Sequence, residues 1–404
     1  MNIIFITGIY PEKIKSEIEK YSKSGIDYAA NIFQAGLIKG LDNYYQVKLL
    51  NLPFVGSYPF LFKKPFISTF YFAHTAGEKD INIGFLNLPI LKLFSRYFKV
   101  KKKLAKVLSK TNEETTIIIY SIHTPFLKSA VKIKKRFANI KICLIVPDLP
   151  EFKSDSKNLF YIAKMRLESI IINKSLKEVD SFVLLTDYMA EALDINLKPW
   201  VRIEGISIPS STNNTVIKEK NKTIFYSGTL ARRYGIMNMI EAFINIKSND
   251  YRLWICGEGD CREVIERILA SDKRIMYFGQ LPHEEVLVLQ KKATVLINPR
   301  TSEGLFTKYS FPSKIMEYFA SGTPAIMHRL IGIPEEYFQF CYVVDEENAE
   351  GLKKTILFVC EKDQKELDEF GRKASDFILE NKNPISQVKK LSNMLNSISN
   401  KVSD

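Results

Sequence analysis

Short β-branched runs closed by glycine, proline, aspartate or histidine alternate along this chain with stretches of helical periodicity. In the first half the runs are Ile3–Thr7, Tyr45–Leu50, Thr116–Tyr120, Lys141–Val146 and Ser181–Leu185, with helical patterns at Tyr28–Leu41, Phe126–Phe137 and Leu159–Glu178. In the second half the runs are Thr223–Tyr226, Arg252–Ile255, Arg274–Phe278, Val295–Ile297, Ala325–Ile326 and Tyr342–Val344. Helices are predicted there at Met237–Lys247, Arg262–Ala270, Glu284–Lys292, Ser313–Ser321 and Ala349–Cys360. Alternation at these lengths predicts an α/β fold with parallel sheets covered by helices on both faces, so ligands are expected at the carboxyl ends of the strands. The polar stretch Pro209–Lys222 reads as a linker between domains 1–209 and 221–384. After Pro384 a last helix, Ile385–Ile398, has no strand following it, and residues 385–404 are expected to pack back on the first domain.

Length and composition narrow the class. The 404 residues favour two domains, and 46% hydrophobic with 25% charged residues excludes wholesale disorder. The best apolar run, Ile117-Ile118-Ile119-Tyr120, is far shorter than the 18 or so residues a membrane span needs. The opening Met1–Gly8 lacks a basic n-region and a small-residue cleavage site, and five scattered cysteines (143, 256, 261, 341, 360) form no Cys-x-x-Cys pair. A cytoplasmic chain with no disulfide frame and no metal site is expected.

The charge is placed unevenly. Of the net +13, residues 1–205 carry +12, with 31 Lys/Arg against 19 Asp/Glu. The excess peaks in the acid-free stretch Lys92–Lys110, with Lys99, Lys101, Lys102, Lys103, Lys106 and Lys110, just after an aromatic region that includes Phe54, Tyr58, Phe60, Phe62, Phe66, Phe70, Tyr71 and Phe72. An amphipathic basic helix with aromatic anchors suits an anionic bilayer surface, whereas a core helix with a solvated lysine face suits the same residues; on pattern alone both stay open. No recognition-motif spacing points to nucleic acid.

Chemistry concentrates in Lys308-Tyr309-Ser310-Phe311-Pro312-Ser313-Lys314-Ile315-Met316-Glu317. Pro312 and Ser313 open a helix whose first N–H groups suit a phosphate, with Lys314 beside them. Glu317 lies one turn on, where its carboxylate can accept from two ribose hydroxyls. Singly, Ser313 reads as a cap and Glu317 as an ion-pair partner; as an ordered block they read as a ligand site.

This block resembles the retaining nucleotide-sugar glycosyltransferases of family 4 (glycosyl transferases group 1), which have the GT-B fold of two Rossmann-like doubly wound domains facing across a cleft. Their hallmark is Glu, seven residues, Glu, then a helix ending in small residue–Gly–x–Pro and two hydrophobics; Glu317 and Ser321–Ile326 match its second half. Phe225–Leu230, with Gly228 and Thr229, resembles the phosphate loop. Leu253–Gly259, with Gly257, resembles the Gly-x-Gly strand end, and Tyr277-Phe278-Gly279-Gln280-Leu281 the loop that reads the nucleobase. The likeness covers essentially all of 223–380 and the first half more loosely.

Two positions depart from the pattern. The first glutamate falls on Tyr309, for which Glu303 in Thr301–Gly304 or a backbone group near Tyr309 is the expected substitute. The family's Arg and Lys of the phosphate loop fall on Thr229 and Tyr234, with Arg232 and Arg233 adjacent. Phe311-Pro312-Ser313-Lys314 in place of a Gly-Leu-Pro turn resembles a variant subfamily, which accommodates both departures. In the first half, Gly25 resembles the family's Gly-Gly loop, His123 the active-site histidine of lipid-linked mannosyltransferases, and Asp148 the Asp of a His-Asp pair, with Pro147 in place of the His.

The resemblance implies metal-independent hexosyl transfer with retention, from a UDP- or GDP-linked sugar to a lipid-linked glycan acceptor of capsule or exopolysaccharide synthesis. No cofactor is implied. His123, Arg232, Arg233 and Lys314 are the implied catalytic groups. Gly228, Thr229, Gly257, Gly279, Gln280, Leu281, Tyr309, Ser310, Pro312, Ser313 and Glu317 are implied to bind the donor, and Gly25, Asp148 and Glu303 the acceptor. With this resemblance, residues 54–110 are expected to dock on an anionic membrane, making the chain peripheral on the inner face of the plasma membrane. A GT-B nucleotide-sugar 2-epimerase and a decayed GT-B scaffold are the alternatives.

Overall fold

The buried β-branched runs pair as parallel strands in two separate sheets, one in each of two compact units, Met1–Ile206 with Pro384–Asp404, and Ser207–Asn383. The computed structural model describes residues 1–23, 26–149, 159–208 and 216–400, with the side chains of all of these except 159–167 and 400.

The first unit holds β1 (Asn2–Thr7), β2 (Val47–Asn51), β3 (Phe66–Ile67), β4 (Phe70–Phe72), β5 (Asp80–Asn82), β6 (Phe85–Leu86), β7 (Thr115–Tyr120), β8 (Ile140–Val146), β9 (Ser181–Leu184) and β10 (Trp200–Arg202). Eight of them form a sheet in the order β10-β9-β8-β7-β1-β2-β5-β4, parallel except for the β5–β4 edge. Its central strands are buried along almost their whole length, as expected of strands covered on both faces. The helices are α1 (Glu12–Tyr21), α2 (Tyr28–Leu41), α3 (Leu91–Leu108), α4 (Thr124–Lys134), α5 (Leu159–Leu176) and α6 (Tyr188–Ala192).

The second unit holds β11 (Lys222–Ser227), β12 (Tyr251–Cys256), β13 (Ile275–Tyr277), β14 (Val295–Asn298), β15 (Ala325–His328) and β16 (Tyr342–Val344) in the all-parallel order β13-β12-β11-β14-β15-β16. This is the doubly wound order, and its direction reverses between β11 and β14, where such sheets take their ligands. In the first unit the reversal falls between β1 and β7. The second unit's helices are α7 (Ile236–Ile244), α8 (Arg262–Leu269), α9 (His283–Lys292), α10 (Lys314–Ala320), α11 (Ala349–Cys360) and α12 (Gln364–Asn381). The last helix, α13 (Pro384–Asn400), belongs to the first unit and lies along α2. Gly40 permits that approach, since a Cβ there would stand 2.4 Å from the Pro384 carbonyl oxygen and the Val388 side chain.

The structure corrects the sequence reading in the 54–86 region. Beyond aromatic bulk it supplies the antiparallel pair β3–β6 and the edge strands β4 and β5. Asp80 holds that edge: it accepts from the Leu49 N–H (2.8 Å) and from His74 Nδ1 (2.6 Å), while His74 Nε2 reaches Asp42 (3.0 Å). Burial opposes protonation of His74, but Asp42 and Asp80 outweigh it and raise its pKa to about 9. A raised folded-state value means stabilisation that is complete below about pH 6.5 and lost as the pH climbs through about 9. Melting temperature is therefore expected to fall over that window by the equivalent of up to about 3 kcal/mol, and a His74→Asn chain is expected to lose this slope. A wild-type melting curve flat from neutral pH to pH 9 would contradict the assignment.

Candidate functional site

Three glycine-bearing turns line the carboxyl edge of the second sheet. The Gly228 N–H donates to the Cys256 carbonyl (2.9 Å), and the Gly257 N–H to the Gly279 carbonyl (2.8 Å), so the turns after β11, β12 and β13 interlock through backbone. Gly257 has φ +137°, and a Cβ there would lie 1.8 Å from the Gly228 oxygen; only glycine fits. Thr229 and Gln280 are exposed beside these turns and Leu281 is half-buried. The Tyr226 hydroxyl closes the first turn by donating to the Thr229 carbonyl at 2.8 Å.

Helix α10 is one residue shorter at each end than predicted. Ser313 and Ser321 are its flanking caps, and the Ser313 side chain makes no cap hydrogen bond. Ser313 is exposed with Pro312 and Lys314 half-buried, so the helix opens at the surface of the unit. Tyr318 anchors α10 to the end of β11: its hydroxyl accepts from the Ser227 N–H (3.0 Å). On the same helix Glu317 Oε2 gathers Lys314 Nζ (3.3 Å), His283 Nε2 (3.5 Å) and Gln290 Nε2 (3.5 Å). Burial pushes the Glu317 carboxyl up, but His283 and Lys314 prevail and hold it at about 2. It is an anion at every physiological pH, an acceptor of hydroxyl protons and never a donor. Lys314 also acts on the Cys256 thiol, which places its charge beside the end of β12.

The cations separate. Arg232 is exposed, and its N–H is held by Asp260 Oδ1 at 3.1 Å. Arg233 lies over the rings of Tyr234 (5.2 Å) and Phe306 (5.7 Å). A second guanidinium, missed from sequence, shares those rings: Arg300 is 5.3 Å from Tyr234 and 4.5 Å from Phe306. Arg300 follows β14 at the sheet's reversal, is only 7% exposed, and donates from Nη2 to Ser310 Oγ at 2.7 Å. Its Nε is buried without a hydrogen-bond partner, and among the described residues no carboxylate pairs with it. Burial, and secondarily the neighbouring Arg233, lower its pKa to about 10 against the opposing influence of Tyr234 and Tyr226. Two arginines stand across one aromatic pair with no acid between them among the described residues, an arrangement suited to an anion. Glu303 is exposed in the loop before the Leu305–Thr307 turn, and Tyr309 is half-buried with Lys308 Nζ 5.6 Å from its ring.

At the first unit's reversal, His123 follows β7 as the residue before α4, with Phe126 and Phe54 rings 4.3 and 5.8 Å from its own. Nearby is a pocket of about 340 Å³ lined by residues that include Tyr10, Asp27, Phe54 and Gly56. Asp148 is exposed after β8 and acts electrostatically on the Tyr120 hydroxyl, as does Asp27. Gly25 lies outside the described residues. Two cations were missed here. Lys92 Nζ donates to the Val55 carbonyl, and Arg96 is buried against His123. Burial first, and Arg96 second, lower the Lys92 pKa to about 7.

Residues 207–377 match the family model described as "Glycosyl transferases group 1". That match spans nearly all of the second unit. A comparison with curated protein sequences gave no match. Among solved structures, the chain is similar to a sucrose-phosphate synthase from Thermosynechococcus elongatus (15% identity, covering 98% of this chain and 100% of that one, TM-score 0.65). It is similar also to the apo form of the lipopolysaccharide outer core galactosyltransferase WaaB (15%, 98% and 99%, TM-score 0.62). A third is an E. coli structure described as trehalose-6-phosphate bound with UDP-2-fluoro glucose (12%, 97% and 99%, TM-score 0.65). At these identities the likeness establishes the fold, which is GT-B.

Proposed function

We propose that the chain is a retaining, metal-independent glycosyltransferase that moves a sugar from a UDP- or GDP-linked donor to a lipid-linked glycan acceptor in surface polysaccharide synthesis. The observation that carries this reading is the acid-free pair Arg233 and Arg300 at the strand-order reversal of a unit that matches the group 1 model. With Lys314 they supply positive charge where a departing diphosphate develops negative charge, the interaction that contributes most to such reactions. Glu317, fixed as an anion, accepts the ribose hydroxyls, and the backbone of the Gly257 and Gly279 turns meets the base. Retention follows a same-face course: the acceptor oxygen bonds to the anomeric carbon as the bond to the diphosphate breaks, and the acceptor proton passes to a phosphate oxygen. The test is incubation with UDP- and GDP-sugars and a polyprenyl-diphosphate sugar acceptor, the product read by anomeric proton coupling. A product with the donor's anomeric configuration is expected; an inverted one would overturn the reading.

The lipid-linked half of the reading rests on the outer face of α3. Leu91, Phe94 and Phe98 are exposed there, Phe94 and Phe98 by 58% and 60%, and the 91, 94, 98 spacing puts all three on one face, with exposed Ile90 just before the helix. Phe66 and Leu86, exposed and paired across β3 and β6, extend this apolar surface, since the Leu86 N–H donates to Ser95 on α3. Lysines 99, 101, 102, 103 and 106 continue the helix, a composition suited to anionic headgroups. No helix among the described residues is long and apolar enough to cross a membrane. The protein is proposed to sit peripherally on the cytoplasmic face. Flotation with anionic liposomes is expected to carry the wild-type chain, and Phe94→Ser/Phe98→Ser is expected to remain in the dense fraction. A wild-type chain that fails to float at low salt would contradict this docking.

A further inference from the structure

The buried face of α3 carries Arg96 in register with Val100, Leu104 and Leu108, a charged residue in the middle of an apolar stripe. Arg96 is 1% exposed. Its guanidinium lies 4.1 Å from the centroid of the Phe85 ring and 5.9 and 5.8 Å from those of Phe54 and Phe126. Nη2 donates to the Pro53 carbonyl at 2.7 Å, and Nη1 stands 3.3 Å from His123 Nε2. A guanidinium has donors and no acceptor, so a hydrogen bond between these two nitrogens requires Nε2 of His123 to be the acceptor. The imidazole is then neutral with its proton on Nδ1, and adding a second proton would set a cation 3.3 Å from the buried guanidinium.

We propose that Arg96 is a positioning residue that locks His123 as the uncharged tautomer protonated on Nδ1, which removes His123 from proton transfer in the reaction. The inference rests on the glycosyltransferase reading and deepens it: with Nε2 held by Arg96, His123 is not the group that takes the acceptor proton, which agrees with that proton passing to a phosphate oxygen. Burial lowers the Arg96 pKa to about 9, which still leaves it a cation at neutral pH. Among the described residues, the charged or titratable groups around this pair include Lys92 on α3, Tyr10 after β1, Asp27 before α2, Tyr120 at the end of β7, Asp148 after β8, and Glu168 on α5. Glu168 accepts from the Thr124 hydroxyl at 2.8 Å, and Asp27 and Asp148 act on Tyr120.

The test is long-range proton–nitrogen NMR of the full chain labelled in its histidines, with the His123 signals identified by their loss in His123→Asn. Wild-type His123 is expected to show the neutral Nδ1–H pattern, unchanged between about pH 5 and 8. In Arg96→Met it is expected to gain a titration within that range, and the pH–rate profile of that variant to gain the same ionisation. Arg96→Lys, which keeps a donor-only cation, is expected to preserve the wild-type tautomer. Wild-type His123 titrating near its ordinary value, or carrying its proton on Nε2, would overturn the proposal even if Arg96→Met fails to fold. The tautomer is read without substrate, so a chain that transfers no sugar leaves this result standing, and a wrong tautomer leaves the glycosyltransferase reading standing.

Discussion

Replacing Arg300 with Met is expected to weaken nucleoside diphosphate binding by about 100-fold while leaving the unliganded protein at least as stable as wild type. The two effects have one cause. Arg300 is buried with its Nε unpartnered and with no carboxylate partner among the described residues, and its lowered pKa reports the cost of holding that charge out of water. Isolated buried charge costs several kcal/mol, which the Tyr234 and Phe306 faces and the Ser310 hydroxyl offset only in part. Methionine fills similar space with no charge to bury. What it loses is the contact with a dianion, and truncating one partner of a buried charge pair costs about 2–5 kcal/mol. Calorimetric melting together with nucleotide titration checks both arms. A variant that melts lower and still binds as wild type would assign Arg300 to the core.

Lys314→Ala is expected to lower kcat by about 10²- to 10³-fold, the usual consequence of removing one preorganised group from developing charge. The variant carries a second signature. Lys314 is one of the groups that hold the Glu317 carboxyl near 2, so without it the Glu317 pKa rises and the acid limb of the pH–rate profile moves to higher pH. His283 and Gln290 remain on Oε2 and limit the displacement. Stopped assays from about pH 2 to 8 read both. An unchanged kcat would remove Lys314 from the leaving-group role, and an unmoved acid limb would detach it from Glu317.

The parts of this fold that show in the sequence are those whose signal is local. α2 and α11 begin and end at the predicted residues because each pairs a clear apolar period with a side-chain cap: Asp27 accepts from the Ala30 N–H, and Asn348 from that of Gly351. The glycine turns after β11, β12 and β13 show in the sequence through the family resemblance, and at Gly257 the structure supplies a reason, since a Cβ there would meet the Gly228 carbonyl oxygen at 1.8 Å. α1 was missed because its ten residues bury only Ile18 and the rest is charged or half-exposed. Strands of two or three residues, such as β3, β4 and β6, are too short to carry a period.

The two buried arginines were missed for different reasons. Arg96 sat inside a run read as uniformly basic, although its four-residue register with Val100, Leu104 and Leu108 marks it as facing inward. Arg300 follows a strand end in Asn298-Pro299-Arg300, the position where ligands are expected, but only the fold brings it across the aromatic pair from Arg233. His283 and Gln290 reach Glu317 from another helix, which no local spacing reveals.

The central claim is that the carboxyl edge of the second sheet seats a nucleoside diphosphate, and isothermal titration of the full chain with UDP and GDP tests it most directly. The account predicts saturable binding of one of the two, with heat lost in Arg300→Met; a well-folded wild-type chain that binds neither would contradict it.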